Sequence, residues 1–176
     1  MTADPVTPGY DALGVEGYYR LHAVDYGNPH ELAVAALLRL AAPKLDLTRV
    51  LDLASGSGEV TLALDDLVGS IEGMDPYTGP AYLARTGREA EPIDFAAIAA
   101  GALVGRSWST IVCSFALHLV ESSRLPALGR RLAELAPTLV VVTPHKRPVF
   151  REGWGWKVPP VELQRDRVRL RIYERV

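Results

Sequence analysis

Asp52, Asp75, Asp94 and Ser114 each stand at the end of an apolar or strand-like stretch, and a small-residue turn follows the first of them. That turn, Ala54-Ser55-Gly56-Ser57-Gly58, presents backbone with little side chain in the way, because Gly56 and Gly58 lack a Cβ and accept positive φ. A carboxylate beside such a turn is a poor neighbour for phosphate and a good one for an ammonium group. Asp75 comes 23 residues later (75 − 52). This is about the ~20-residue offset at which an acid meets ribose hydroxyls in nucleotide-binding α/β folds. His118 and His145 follow later apolar runs and have the proton affinity a general base needs near neutral pH. Tyr19, His22 and Tyr26 share one face if their segment is helical. Such residues suit a cationic, nucleoside-like ligand beside a second molecule that must be positioned.

Alternating strands and helices must carry these residues. Val50–Leu53 reads as a buried strand, Glu59–Val68 as a helix and Ile71–Asp75 as a second strand. Pro80–Arg85 is a short helix, Glu91–Asp94 a brief third strand and Phe95–Leu103 a helix. Ser109–Ser114 is a fourth strand. Leu125–Leu135 is a helix with Leu125, Leu128, Leu132 and Leu135 inward, and Leu139–Thr143 is a fifth strand. Upstream, Asn28 is the expected N-cap of a helix with Pro29 in its first turn and Glu31 closing a capping box. Val34, Leu37, Leu38 and Ala41 form its apolar stripe. The tail holds a strand at Arg167–Glu174 and a second around Trp156–Leu163, which Pro159 and Pro160 confine to an edge. The fold class is α/β: a doubly wound, mostly parallel Rossmann-like sheet with helices on both faces and a C-terminal antiparallel edge strand. Ligands of such sheets bind outside the carboxyl ends of the strands.

S-adenosylmethionine (SAM) carries an ammonium and a sulfonium and no phosphate, which suits Asp52; Thr61 stands where the dinucleotide fingerprint has its third glycine. Val50–Glu59 together with Ile71–Asp75 resembles the first two motifs of class I SAM-dependent methyltransferases, and the resemblance extends over roughly Val50 to Val142. It implies SAM as cofactor, bound by Asp52, Ala54, Gly56, Gly58, Asp75, Pro76, Asp94, Phe95 and Ser114. Asp75 would meet the ribose and Asp94 the adenine amino group, with Phe95 packed on the ring. Ser114-Phe115-Ala116-Leu117-His118 looks like the fourth motif, where Ser114 would border the methionine part of SAM. The Asn- or Asp-Pro-Pro-aromatic variant used on exocyclic amines of DNA bases is absent. The implied activity is methyl transfer to an N or O atom of a small molecule. His118 and then His145 are the candidate bases, with Tyr19 and Tyr26 as positioning groups, and no metal is expected. Alternatives are an RNA or protein methyltransferase using the basic C-terminal segment, a catalytically silent SAM-fold binding subunit, and an NAD-dependent oxidoreductase.

The 176 residues are expected to form one domain: a 1–45 arm and cap helix, a 46–143 SAM-binding core, and a 144–176 basic loop with terminal strands. No run of about 18 apolar residues and no signal-peptide pattern occurs. The lone Cys113, within an apolar run, is expected to be structural. These features fit a cytoplasmic protein without a membrane partner, whose oligomeric state the sequence does not indicate. The net charge of −2 divides into nine Lys+Arg against four Asp+Glu over Pro144–Val176 (+5) and ten against seventeen elsewhere (−7). Arg167, Arg169 and Arg171 alternate with apolar residues and are expected on a solvent face. Trp154 and Trp156 would either stack a flat substrate or pack under the sheet edge.

Overall fold

Successive side chains of a strand point to opposite faces, and here both faces are apolar. The computed structural model describes residues 28–159 and 162–176. Within them the strands are β1 (Arg49–Leu53), β2 (Ser70–Met74), β3 (Ala90–Glu91), β4 (Thr110–Ser114), β5 (Thr138–Thr143), β6 (Glu162–Arg165) and β7 (Val168–Glu174). The helices are α1 (Glu31–Ala41), α2 (Glu59–Leu64), α3 (Gly79–Thr86), α4 (Phe95–Ala99) and α5 (Leu125–Leu135). One sheet has the order β3-β2-β1-β4-β5-β7-β6, parallel from β3 to β5, with β7 antiparallel to both its neighbours. Val50, Val112, Val140 and Val142 face a core shared with α1 and α2. Leu51, Leu53, Ile111, Cys113, Leu139 and Val141 face the opposite core, with α5, Phe150, Trp156 and Tyr173. The doubly wound sheet is therefore as expected, and its strand order reverses between β1 and β4, where ligands of such sheets bind.

Several elements stop earlier than their apolar pattern suggests. α2 ends at Leu64, four residues short of Val68, and α4 ends at Ala99 before Gly101 takes φ +100°. β3 has two residues and precedes Asp94. The capping box is absent. Asn28 Oδ1 accepts from the His30 amide (2.8 Å) and the Asn28 amide donates to Glu59 Oε1 (3.1 Å), while Glu31 pairs with Arg85. A nearby cation outcompetes the local cap.

The tail departs most from expectation. The antiparallel C-terminal edge is as expected, with β6 outermost, but Arg171 on β7 does not lie on a solvent face: it is 6% exposed. Its Nε donates to Glu162 Oε2 (2.5 Å), Nη2 to the Lys146 carbonyl (3.1 Å) and Nη1 to the Pro148 carbonyl (3.3 Å). Arg169 also pairs with Glu162. Trp156 lies outside β6, bridging to Arg175, with its ring fully buried and its Nε1 donating to the Gly129 carbonyl (2.9 Å). Trp154 packs edge-on against Phe150. Both tryptophans thus pack beneath the sheet rather than wall a pocket. Cys113 is buried and burial pushes its thiol far up, so it is an inert core residue. No helix among the described residues is long and apolar enough to cross a membrane.

Gly73 on β2 admits the buried ring of Tyr82, and a Cβ there would lie 2.5 Å from Tyr82 Cζ. Gly73→Ala is expected to destabilise the fold by about 1–3 kcal/mol through overpacking. A thermal melt should fall by about 2–4 °C per kcal/mol. A wild-type melt would show that the ring can move aside.

Candidate functional site

Carboxylates at the ends of buried strands need donors. Asp52, last but one in β1 and 1% exposed, accepts at Oδ2 from both the amide (3.1 Å) and the hydroxyl (2.7 Å) of Thr61. Thr61 Oγ1 is also 2.8 Å from Tyr82 Oη. With its one proton on an ionised Asp52, the threonine must accept from the tyrosine, giving a chain Tyr82–Thr61–Asp52. Burial holds the Asp52 carboxyl well above the usual carboxylate range; the Thr61 hydroxyl opposes this, and the charges of Glu59 and Asp75 add to it.

Asp75 begins the turn after β2 and is also buried. Its Oδ2 accepts from the Gly56 amide (3.1 Å), and its Oδ1 from the amides of Tyr77 (2.8 Å) and Thr78 (3.1 Å). Thr78 Oγ1 donates back to the Gly56 carbonyl (2.7 Å). The loop after β1 is thereby stapled to the turn after β2. Ala54 (φ +56°) and Gly56 (φ +54°) are both left-handed in this loop. Strain at a non-glycine residue persists only where its surroundings over-determine it. Gly58, also left-handed at φ +94°, precedes α2 and faces Thr86, whose Cγ2 would be 2.4 Å from an added Cβ.

A cavity of about 610 Å³ opens over these strand ends. Among the described residues its wall includes Asp52, Ala54, Gly56, Asp75, Pro76, Asp94, Phe95 and Ser114, so eight of the nine expected cofactor residues come together. Gly58 does not line it; its glycine is required by backbone conformation and contact with α3. Asp94 also caps α4, accepting at Oδ1 from the Ala97 amide (2.7 Å). The hydroxyls of Ser55 and Ser114 are buried with no hydrogen-bond partner among the described residues. Both residues line the cavity, and a buried unpaired hydroxyl is an invitation to a polar ligand.

The cavity's charge is lopsided. Among the described residues, Asp52, Glu59, Asp75, Asp94 and Glu121 line it against the single cation Arg124. Glu59, missed in the sequence reading, is buried. Its Oε1 accepts from Ser57 Oγ (2.8 Å), and burial raises its carboxyl above the ordinary value. Its placement in the first turn of a helix beside a glycine loop was the available signal. Thr61 and Tyr82 gave none, since their role depends on a contact across 21 residues.

His118 and His145 do not line this cavity. They pack against each other with the rings tilted by 44° and centroids 4.3 Å apart, on the segments after β4 and β5. Phe115, left-handed at φ +56°, lines the cavity and stacks on His30 (5.3 Å). Tyr19 and Tyr26 lie outside the described residues.

No protein-family model matches the chain. An uncharacterized protein of Schizosaccharomyces pombe is 29% identical, the match covering 82% of this chain and 77% of that one. Among solved structures, magnesium protoporphyrin IX methyltransferase of Synechocystis with bound SAM superposes with TM-score 0.63 at 17% identity, over 99% of each chain. A putative RNA methyltransferase of Pyrococcus horikoshii gives 0.60 at 14% identity, over 88% of this chain and 87% of that one. With its sheet order, its acid-ended strands and these superpositions, the chain has the Rossmann-like fold of the class I SAM-dependent methyltransferases.

Proposed function

We propose that the protein is a SAM-dependent methyltransferase acting on an N or O atom of a small molecule. The observation that carries this reading is an acid-lined cavity at the sheet's switch point, with two buried hydroxyls in its wall that have no partner among the described residues. Buried carboxylates crowded together are costly alone and welcome a cation, and a pyrophosphate would meet repulsion from the same residues. That weighs against an NAD-dependent oxidoreductase.

The residues present fit SAM. Asp52, oriented by Thr61, would face its ammonium group, and Asp75 its ribose. Phe95 and Ile93 offer apolar surface for the adenine, and Ser114 a hydroxyl near the methionine part. When bound, SAM supplies a methyl group on a positive sulfur, which departs as a neutral thioether as the acceptor's lone pair bonds to carbon. The chain's contribution is placement: the stapled loop fixes the carboxylates before any ligand arrives, which limits what ordering costs on binding. His118 is the candidate acceptor of a proton from the nucleophile, with His145 against it and Tyr19 and Tyr26 as positioning groups. The absence of a DNA-amine motif and the acidic cavity favour a small acceptor over nucleic acid.

Two outcomes test this. Asp52 has its carboxyl raised in the folded state, so the stability tied to its proton is full at low pH and lost as pH rises through the folded value. Asp52→Asn keeps an acceptor for Thr61 without the buried charge. Its melting temperature at neutral pH should exceed wild type by about 2–4 °C, the margin closing on acidification. Its affinity for SAM by calorimetric titration should fall at least about tenfold. Unchanged affinity would remove Asp52 from the site, and wild-type protein that is folded yet binds no SAM would end the proposal. Tyr82→Phe, by removing the donor behind Thr61, should cost about 1 kcal/mol of stability. It should also weaken SAM severalfold, whereas Thr61→Ser should retain both; equal loss in the two variants would mean that packing, not the hydroxyl chain, matters.

A further inference from the structure

The loop after β5 is tied down as firmly as the loop after β1, and its exposed polar side chains are an imidazole and two cations. The His145 amide donates to Thr143 Oγ1 (3.1 Å). Arg171 takes the carbonyls of Lys146 and Pro148, and the Phe150 amide donates to Tyr173 Oη (3.3 Å). From this anchored backbone His145, Lys146 and Arg147 project into solvent. Glu162, the carboxylate bound into the same network, is taken by Arg169 and Arg171. Among the described residues no ion pair reaches Lys146 or Arg147. Adjacent like charges held on a rigid backbone repel, and nothing in the core requires their side chains.

Their position gives the arrangement meaning. His145 packs against His118, and Phe115, three residues before His118, forms part of the cavity wall. The basic side chains after β5 therefore stand beside the segment after β4 that walls the cavity, at the carboxyl end of the sheet where ligands of such folds bind.

Resting on the methyltransferase reading, we propose that the acceptor is a small molecule bearing an oxyanion, carboxylate or phosphate, bound by His118, His145, Lys146 and Arg147. Imidazole, ammonium and guanidinium N–H groups are the donors that charge-assisted recognition of such a group uses. The basic loop attracts the anion, while the carboxylates of the cavity repel it and admit SAM, so one edge of the sheet sorts two ligands by charge. A polyanion is the weaker fit. The chain is net negative, the loop carries only Lys146 and Arg147 as cations beside His145, and the neighbouring Arg151 is stacked on Trp154.

The test is NMR titration of the imidazole signals of His118 and His145 with inorganic phosphate and, separately, acetate. Wild type, the double variant Lys146→Gln/Arg147→Gln, and a control Lys44→Gln on a distant turn would be compared. Saturable shifts of both rings are expected in wild type and control. In the double variant affinity should fall at least about tenfold, the equivalent of one charge-assisted hydrogen bond. Phosphate and acetate responding differently would say which oxyanion the acceptor carries. Calorimetric SAM binding should be the same in all three proteins, so that a wild type unable to bind SAM refutes the methyltransferase reading separately. Rings that do not move, or that move equally in the double variant, would overturn the oxyanion site. A short single-stranded RNA binding far more tightly than phosphate through the same residues would overturn the small acceptor.

Discussion

A carboxylate can stand at the end of a buried parallel strand only if donors meet it there, and the upper edge of this sheet is built around that requirement. Asp75 meets it by drawing three backbone amides, one from the loop after β1 and two from its own turn. Asp52 meets it by drawing both donors of one threonine. The glycine loop, the entry to α2 and the entry to α3 are held relative to one another by these two side chains. The left-handed backbone at Ala54 is tolerable because its neighbours are tied on both sides.

The second layer of support is packing. Gly73 leaves room for Tyr82, whose hydroxyl reaches Thr61. A missing side chain on β2 thus becomes a hydrogen bond behind β1. Burial that raises the Asp52 carboxyl is the other side of the same arrangement: the group is kept from the water that would otherwise stabilise its charge.

What could be read from the chain follows from the range of the forces involved. The strands β1, β4 and β5 are continuous apolar runs, and α5 was placed to the residue because its stripe and Pro137 act locally. Asp52, Asp75 and Ser114 were legible because strand ends are legible. Gly58 looked like Gly56 but serves Thr86, a neighbour met only in the fold. Glu31 had the spacing of a capping box, yet Arg85, 54 residues away, claims it. Arg171 sat in an alternating pattern that implied solvent. Glu162 and two loop carbonyls drew it inside, and no period of two encodes that. Local rules failed where a distant charge offered a better bond.

The buried Arg171 also makes one loop depend on the end of the chain. It reaches back 25 residues to the Lys146 carbonyl, across the whole return of the chain to β5. Until β7 has docked between β5 and β6, that loop has lost two of its anchors and keeps the freedom of an open segment. The pocket carboxylates depend on nearer contacts, such as Asp75 with Gly56 across 19 residues. The acidic part of the upper edge thus rests on contacts between the first two strands' loops, and the basic loop on the last two strands of the chain.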